Sequence, residues 1–318
     1  MRIVLLGAGA IGGVIAGHLV RVGREVLVLA RGEQLAALRA RGLRVETPDG
    51  PFDVRVTVQS SSEPVAWRDD DVLVACTKVH DLAAALREVA APASVPIACM
   101  TNGIEGERIA LRHARDVIGC CVFMPATYLV PGTVQVWATP PGLFELGRFP
   151  DGTGDHADAL AGELIAAGFD CIVRPNVMKW KRGKLLSNLM NGAEALCGPA
   201  ARTSEIATMA RAEGRAVYAA ANLSCTTEAE DVERRRAITS REIAGAKRAG
   251  GSTWQSLSRG HTTLEIDYLN GEIAMLGRLN GVPTPVNEAL QRIVAEEAKR
   301  KATPGALPLA ELVARVLR

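Results

Sequence analysis

Along the first half of the chain, short apolar runs alternate with stretches of helical periodicity. Residues 2–6 (Arg-Ile-Val-Leu-Leu) read as a buried strand, and a helix is expected from Ile11 to Val22. Glu25–Ala30 reads as a second strand, residues 33–41 as a helix, and 43–46 and 52–58 as strands around the turn Pro48-Asp49-Gly50. Val72–Cys76 and Pro96–Met100 are further apolar runs, each followed by a helix. Strands alternating with helices predict a doubly wound, mostly parallel sheet. From Asp116 to Leu146 the pattern changes to runs such as 117–123 and 133–137 around Pro131-Gly132, expected to extend that sheet as antiparallel strands. A helix over 155–167 and a last strand over 170–173 follow, and strand character stops beyond Pro175.

The remainder reads as helical. Helices are expected over Lys181–Leu196, from Ser204 to about Leu223 with Thr203 or Ser204 as cap, over Glu228–Lys247, over Leu264–Leu279 and over Val286–Lys301. The fourth of these carries Ile266, Leu269, Ile273 and Leu276 at spacings of three and four, a stripe that should be buried. The charged tract Glu228–Arg236 reads as a solvated helix face. The fold class is therefore α/β: a Rossmann-type doubly wound sheet over residues 1–177, followed by a smaller all-α C-terminal domain over 178–318.

Between the first strand and first helix lie Gly7, Gly9 and Gly12, with Gly13 directly after. The spacing G-x-G-x-x-G is weak alone, but between a strand and a helix it is the dinucleotide-binding fingerprint. The turn Gly7-Ala8-Gly9-Ala10-Ile11-Gly12 would bring backbone N–H groups and the positive end of a helix dipole to a pyrophosphate. Five glycines within residues 3–20 argue against reading this segment as a signal peptide or a membrane span. Ligands of such sheets collect beyond the carboxyl ends of the strands. Arg31, Lys78 and Asn102 stand at those ends. An acidic residue after the second strand selects NAD and an arginine accommodates a 2′-phosphate, so Arg31 points to NADP(H).

Composition changes this picture little. A net charge of +2 from 37 basic and 35 acidic residues gives no reason to invoke nucleic acid or an anionic membrane surface. Seven cysteines form no CxxC pair and no zinc-ligand spacing, which suits reduced thiols in a cytoplasmic protein without a metal site. Cys120-Cys121 reads as two strand residues on opposite faces.

Reduction of a ketone needs a proton donor beside the carbonyl oxygen. Lys184, Asn188 and Asn191 fall at i, i+4 and i+7, within about 60° of one another on one expected helix. Lys181, Arg182 and Lys184 also fit a basic solvated turn. Glu265, beside the apolar stripe, would partner Lys184 or cap its own helix, and spacing does not choose between them.

These pieces together resemble the ketopantoate reductase family: Gly7-x-Gly9-x-x-Gly12, Arg31, Thr77-Lys78, Asn102-Gly103, Lys184-Leu185-x-x-Asn188 and Glu265-Ile266-Asp267-Tyr268-Leu269-Asn270-Gly271, in the family's order over nearly the whole chain. The resemblance implies reduction of 2-dehydropantoate to pantoate with NADPH, in coenzyme A biosynthesis. It implies Arg31 on the 2′-phosphate, Lys78 and Asn102 along the cofactor, with Asn102 also reaching substrate. It further implies Lys184 as general acid, and Asn188 and Glu265 as holders of the substrate's hydroxyl end and of the lysine. Three positions depart from the family. The asparagine usual eight residues after the lysine is Gly192, with Asn191 one place earlier. The serine twelve before the glutamate is Thr253, next to Ser252. A later asparagine has no counterpart around Gly198–Thr203. Asn191 and Thr253 are thus expected to line the substrate pocket in their place. The departures leave two other functions open: an NADP-dependent reductase of another 2-oxo acid, and a non-catalytic NADP-binding redox sensor. A small-molecule substrate is the expected partner, and a homodimer is left open.

Overall fold

The computed structural model describes all 318 residues. The chain divides into two compact units, residues 1–180 with 228–248 and residues 181–227 with 249–318. The first unit begins with β1 (Arg2–Leu6), α1 (Ala10–Arg21), β2 (Val26–Ala30), α2 (Gly32–Arg41), β3 (Leu43–Glu46), β4 (Phe52–Val54), β5 (Thr57–Ser60), β6 (Asp71–Ala75) and α3 (Val79–Val89). It continues with β7 (Ile97–Cys99), α4 (Gly106–Ala110), β8 (Val117–Phe123), β9 (Ala126–Thr127), β10 (Thr133–Val136), β11 (Ala138–Thr139), β12 (Leu143–Arg148), α5 (Asp155–Ala166) and β13 (Asp170–Val173). The unit boundary at Trp180–Lys181 falls inside α6 (Val177–Asn188).

An eight-stranded sheet in the order β13-β12-β8-β7-β6-β1-β2-β5 forms the centre of the first unit, parallel throughout except for the β12–β8 pair. β1, β2 and β6 are apolar because helices or other chain cover both of their faces, so they lack the alternation of a half-solvated strand. The register aligns their ends: Leu6 pairs with both Leu29 and Ala75, Ala75 with Cys99, and Ala30 with Ser60. Five consecutive strands, β7 to β5, thus end on one edge, spanning roughly 19 Å at about 4.8 Å per strand. Cys120 and Cys121 lie on β8 facing opposite sides, one fully buried and one half-exposed, and all seven cysteines are free thiols.

Two expectations for this region change. Residues 52–58 do not form one strand: β4 joins a small second sheet, β4-β3-β10-β9, whereas β5 pairs with β2 at the edge of the main sheet. The run at 133–137 belongs to that second sheet as β10, because α1 packs against it; a Cβ on Gly13 would lie 2.6 Å from the Val134 side chain.

The segment expected as a helix over Glu228–Lys247 is helical only in α9 (Glu228–Arg235), then extends as β14 (Thr239–Ser240). It groups with the first unit although the sequence places it in the all-α half. Strand character therefore does not stop at Pro175, since β14 pairs antiparallel with β11. The charged tract is not simply a solvated face. The Arg234 side chain is 9% exposed and donates to Glu145, itself 4% exposed, and to Asp170 at 2.6 Å. Arg174 reaches the other Glu145 oxygen at 2.6 Å, the Arg235 guanidinium stacks 4.5 Å over Phe123, and Arg241 bonds Asp49 at 2.6 Å.

The second unit holds the end of α6, α7 (Asn191–Cys197), a 3-10 turn at Pro199–Thr203, α8 (Glu205–Ala220), α10 (Ser252–Ser258), a 3-10 turn at Glu265–Tyr268, α11 (Asn270–Asn280), α12 (Pro285–Lys299) and α13 (Leu309–Val316). Two expected helices are broken. Lys181–Leu196 is interrupted at Leu189–Met190, where Gly192 of α7 meets α12 so closely that a Cβ would lie 2.8 Å from Val294. Leu264–Leu279 is interrupted at Leu269 (φ −115°, ψ −91°), beyond which Asn270, wholly buried, donates to Asn287 at 2.9 Å. Ile266, Leu269 and Ile273 are buried, whereas Leu276, the fourth member of the expected stripe, is half-exposed. α10 and α13 have no counterpart in the sequence-based expectations. No helix is long and apolar enough to cross a membrane.

Two stability predictions follow from the first unit. Removing Arg234 leaves the buried Glu145 with only Arg174, so Arg234→Met should lower unfolding free energy by on the order of 3 kcal/mol, read as a fall in urea midpoint. Replacing Glu145 as well, by Leu, should restore part of it. His18 on α1 packs against Phe52 and Phe169 at 5.4 and 5.2 Å between ring centres, and its Nε2 is buried without a partner. Burial pushes its pKa down to about 4, partly opposed by a hydrogen bond with the Ala167 backbone. Between pH 6.5 and 4 the unfolded chain binds a proton there and the folded one does not. Stability is complete above pH 6.5 and falls toward pH 4, by up to roughly 3 kcal/mol. His18→Phe should flatten that part of the urea-midpoint profile.

Candidate active site

At the carboxyl edge of the sheet, the turn after β1 passes through Gly7 at φ +105°, a conformation open to glycine. A Cβ on Gly12 would lie 2.0 Å from the Gly7 carbonyl oxygen, so only glycine lets α1 start this close to β1. A Cβ on Gly9 would meet no protein atom within 4 Å, because that space belongs to a cavity. Gly9 is also the N-cap of α1, with no side-chain cap and no acidic residue in the first turn, which leaves the helix's leading N–H groups for an anion. The cavity is lined by Gly7, Ala8, Gly9, Arg31, Gln34 and Ser61 among others, with Thr77 and Tyr128 on its wall. An open cavity, an uncapped twelve-residue helix and a cationic rim suit the pyrophosphate and adenosine half of a dinucleotide.

Gln34 holds this turn in shape. Buried on α2, it donates to the Ala8 carbonyl at 2.8 Å and accepts from the Gly132 N–H at 2.7 Å. Arg31, the N-cap of α2, is exposed at the end of β2, with Glu88 of α3 3.6 Å away. Lys78 caps α3 after β6 and Asn102 lies in the turn after β7; both are half-buried. The sheet order places these turns side by side with the glycine turn. Ala10 and Ile11 form the first turn of α1.

Gln34, Ser61 and Tyr128 were not singled out from the sequence, and Thr77 entered only as part of the Thr77-Lys78 pair. Ser61 was hidden because residues 52–58 read as one strand. Once β5 is recognised as a member of the main sheet, Ser61 falls at a strand's carboxyl end like the others. Gln34 carries no local signal, since both of its partners are distant in sequence.

In the second unit, Lys184 and Asn188 are half-buried and four residues apart on α6, so they share a face. The rest of that turn is fixed by packing. Leu185 and Leu189 are buried, and a Cβ on Gly183 would lie 1.7 Å from the Thr226 hydroxyl. Arg182 donates to the Ser224 carbonyl and Tyr218 donates to the Arg182 carbonyl at 3.5 Å. Asn191 begins a separate helix, α7, because α6 ends at Asn188. Its side-chain oxygen accepts instead from Arg202 at 2.9 Å, and Arg202 also binds Glu194 at 2.5 Å and the Ser187 carbonyl at 3.2 Å.

Glu265 opens the 3-10 turn and is 6% exposed, between Leu264 and Ile266 of the apolar cluster that includes Leu196 and Val294. Its segment is held from behind by Asn270 and Asn287, the latter donating to Glu213 at 2.7 Å. Thr253 is buried on α10, which packs against α7.

A family model described as ketopantoate reductase PanE/ApbA matches residues 3–151, and its C-terminal companion matches residues 176–298. A 2-dehydropantoate 2-reductase of Mesorhizobium japonicum is 30% identical, over 92% of this chain and 97% of its own length. One from Archaeoglobus fulgidus is 27% identical over 92% and 96%. Among solved structures, a PanE/ApbA family ketopantoate reductase from Ralstonia eutropha JMP134 superposes with a TM-score of 0.78 at 26% identity, covering 95% of this chain and 99% of that one. A D-mandelate dehydrogenase solved with NADH and anilino(oxo)acetate shares the fold, with a TM-score of 0.82 at 23% identity over 95% and 99%. With its glycine turn and its lysine-bearing helix in the matched regions, the chain belongs to the ketopantoate reductase PanE/ApbA family of oxidoreductases.

Proposed function

We propose that this protein reduces the 2-keto group of 2-dehydropantoate to give pantoate, using NADPH and a proton from Lys184. The observation that carries the proposal is the face of α6 on which Lys184 and Asn188 stand together, its orientation set by the packing of Gly183 and the anchoring of Arg182. The first unit is the dinucleotide-binding domain in this proposal and the second supplies the acid. The turn Gly7–Gly12 holds the pyrophosphate through backbone N–H groups, Arg31 takes the 2′-phosphate, and Lys78 and Asn102 lie along the dinucleotide toward the substrate. When bound, the reduced nicotinamide supplies the hydride that C2 accepts.

The lysine's part is electrostatic first and acid–base second. Its ammonium donates a hydrogen bond to the C2 carbonyl oxygen, draws electron density from C2, and releases a proton to that oxygen as negative charge develops on it. Asn188 and Thr253 offer neutral donors and acceptors to the substrate's polar groups. Glu265, buried and fixed on its turn, accepts from a substrate hydroxyl and supports the charged lysine. Asn191 supports the pocket through Arg202 in this scheme.

Gly192 stands where the resemblance leads one to expect an asparagine, and Asn191, one place earlier, is engaged by Arg202; both favour testing a second reading, reduction of a different 2-oxo acid. A panel of 2-oxo acids assayed with NADPH and with NADH separates the two. Turnover of 2-dehydropantoate as the best substrate is the expected result. Preference for another acid replaces the substrate, and dinucleotide binding with no turnover of any acid supports a sensor instead. Lys184→Ala should lower kcat on the best substrate by about 10²–10⁴-fold while NADPH still binds, as followed by fluorescence titration. A variant with unchanged kcat would remove Lys184 as the proton donor.

A further inference from the structure

Glu88 joins two groups of the dinucleotide cavity that otherwise have no reason to meet. One of its carboxylate oxygens accepts from the Ser61 hydroxyl at 3.2 Å and the other lies 3.6 Å from the Arg31 guanidinium. Ser61 is 3% exposed and follows β5; Arg31 follows β2, which pairs with β5. Both line the cavity, as does Ala85, one helical turn before Glu88 on α3. The Glu88 side chain, 31% exposed, therefore stands at the rim of the cavity.

In a sheet of this kind the adenosine ribose lies at the end of the second strand, where a carboxylate accepts from its 2′-hydroxyl or an arginine pairs with a 2′-phosphate. This chain supplies both groups at that place, from different elements, and holds them against each other. We infer that Glu88 is the residue that sets the balance between a 2′-hydroxyl and a 2′-phosphate on the dinucleotide. Resting on the role proposed above for Arg31, this deepens the cofactor assignment. A 2′-phosphate must take Arg31 from Glu88 and accept a second negative charge nearby. A bare ribose finds in Glu88 an acceptor already aligned by Ser61. The carboxylate thus weakens a preference for the phosphate that Arg31 alone would make strong.

The test is calorimetric binding of 2′,5′-ADP and of 5′-AMP, two fragments that differ at the position in question and need no turnover. It is run on the full-length protein, on Glu88→Gln, on Glu88→Lys and on Arg31→Ala. Glu88 sits on the solvent side of α3, and a thermal melt checks that the variants stay folded. Glu88→Gln should raise the ratio of 2′,5′-ADP to 5′-AMP affinity by about tenfold, equivalent to about 1.4 kcal/mol, and Glu88→Lys should raise it further. A change below threefold in both variants overturns the role of Glu88. Undiminished 2′,5′-ADP affinity in Arg31→Ala would instead refute the assignment of Arg31, so the two failures are separable.

Discussion

The separation of 2.0 Å between the Gly7 carbonyl oxygen and the place a Cβ would occupy on Gly12 is the constraint on which the first unit is built. Only with no side chain at residue 12 does α1 begin this close to the end of β1, and only then do its leading N–H groups border the cavity. Gly13 and Gly17 extend the same close contact along the helix, against Val134 and Val45 of the second sheet. The glycines therefore serve two purposes at once. They leave a cavity open at one end of α1 and let a sheet pack against its side.

The register of the parallel strands converts that local turn into a site. Because Leu6, Leu29, Ala75 and Cys99 stand in one row, residues that follow four different strands reach the same edge without any direct contact in sequence. Arg31, Ser61, Lys78 and Asn102 owe their common location to hydrogen bonds between backbones, and their side chains differ only in what each does there. Charge is then distributed within the row, with Glu88 entering from α3 to hold Arg31 and Ser61 together.

In the helical unit two breaks position the polar residues of interest. The interruption at Leu189–Met190 lets Gly192 pack on Val294 and turns Asn191 toward Arg202; the one at Leu269 buries Asn270 against Asn287 and leaves Glu265 on a short turn flanked by apolar neighbours. In both cases a polar residue is fixed by tertiary partners at the end of a helix. The segment at 228–248 departs from the helical half for a similar reason. Glu145 is buried and needs cations, and Arg234 provides one from far along the chain.

Local pattern by itself determined the strand–glycine–helix opening, the apolar strands of the main sheet, and the shared face of Lys184 and Asn188. Each depends on residues within about two helical turns, where periodicity and backbone freedom are written directly in the order of side chains. The resemblance carried by Glu265 and its neighbours was legible in the same way, as a string. Tertiary structure alone decided that residues 52–58 split between two sheets, that Asn191 starts a separate helix bonded to Arg202, that α9 and β14 join the first unit, and that Gln34, Ser61 and Glu88 attend the cavity. Those outcomes turn on partners tens to about a hundred residues away: Ala8 and Gly132 for Gln34, Val294 for Gly192, Glu145 for Arg234. A charge or an amide shows in the sequence, but the buried group that needs it becomes its neighbour only when the chain is folded.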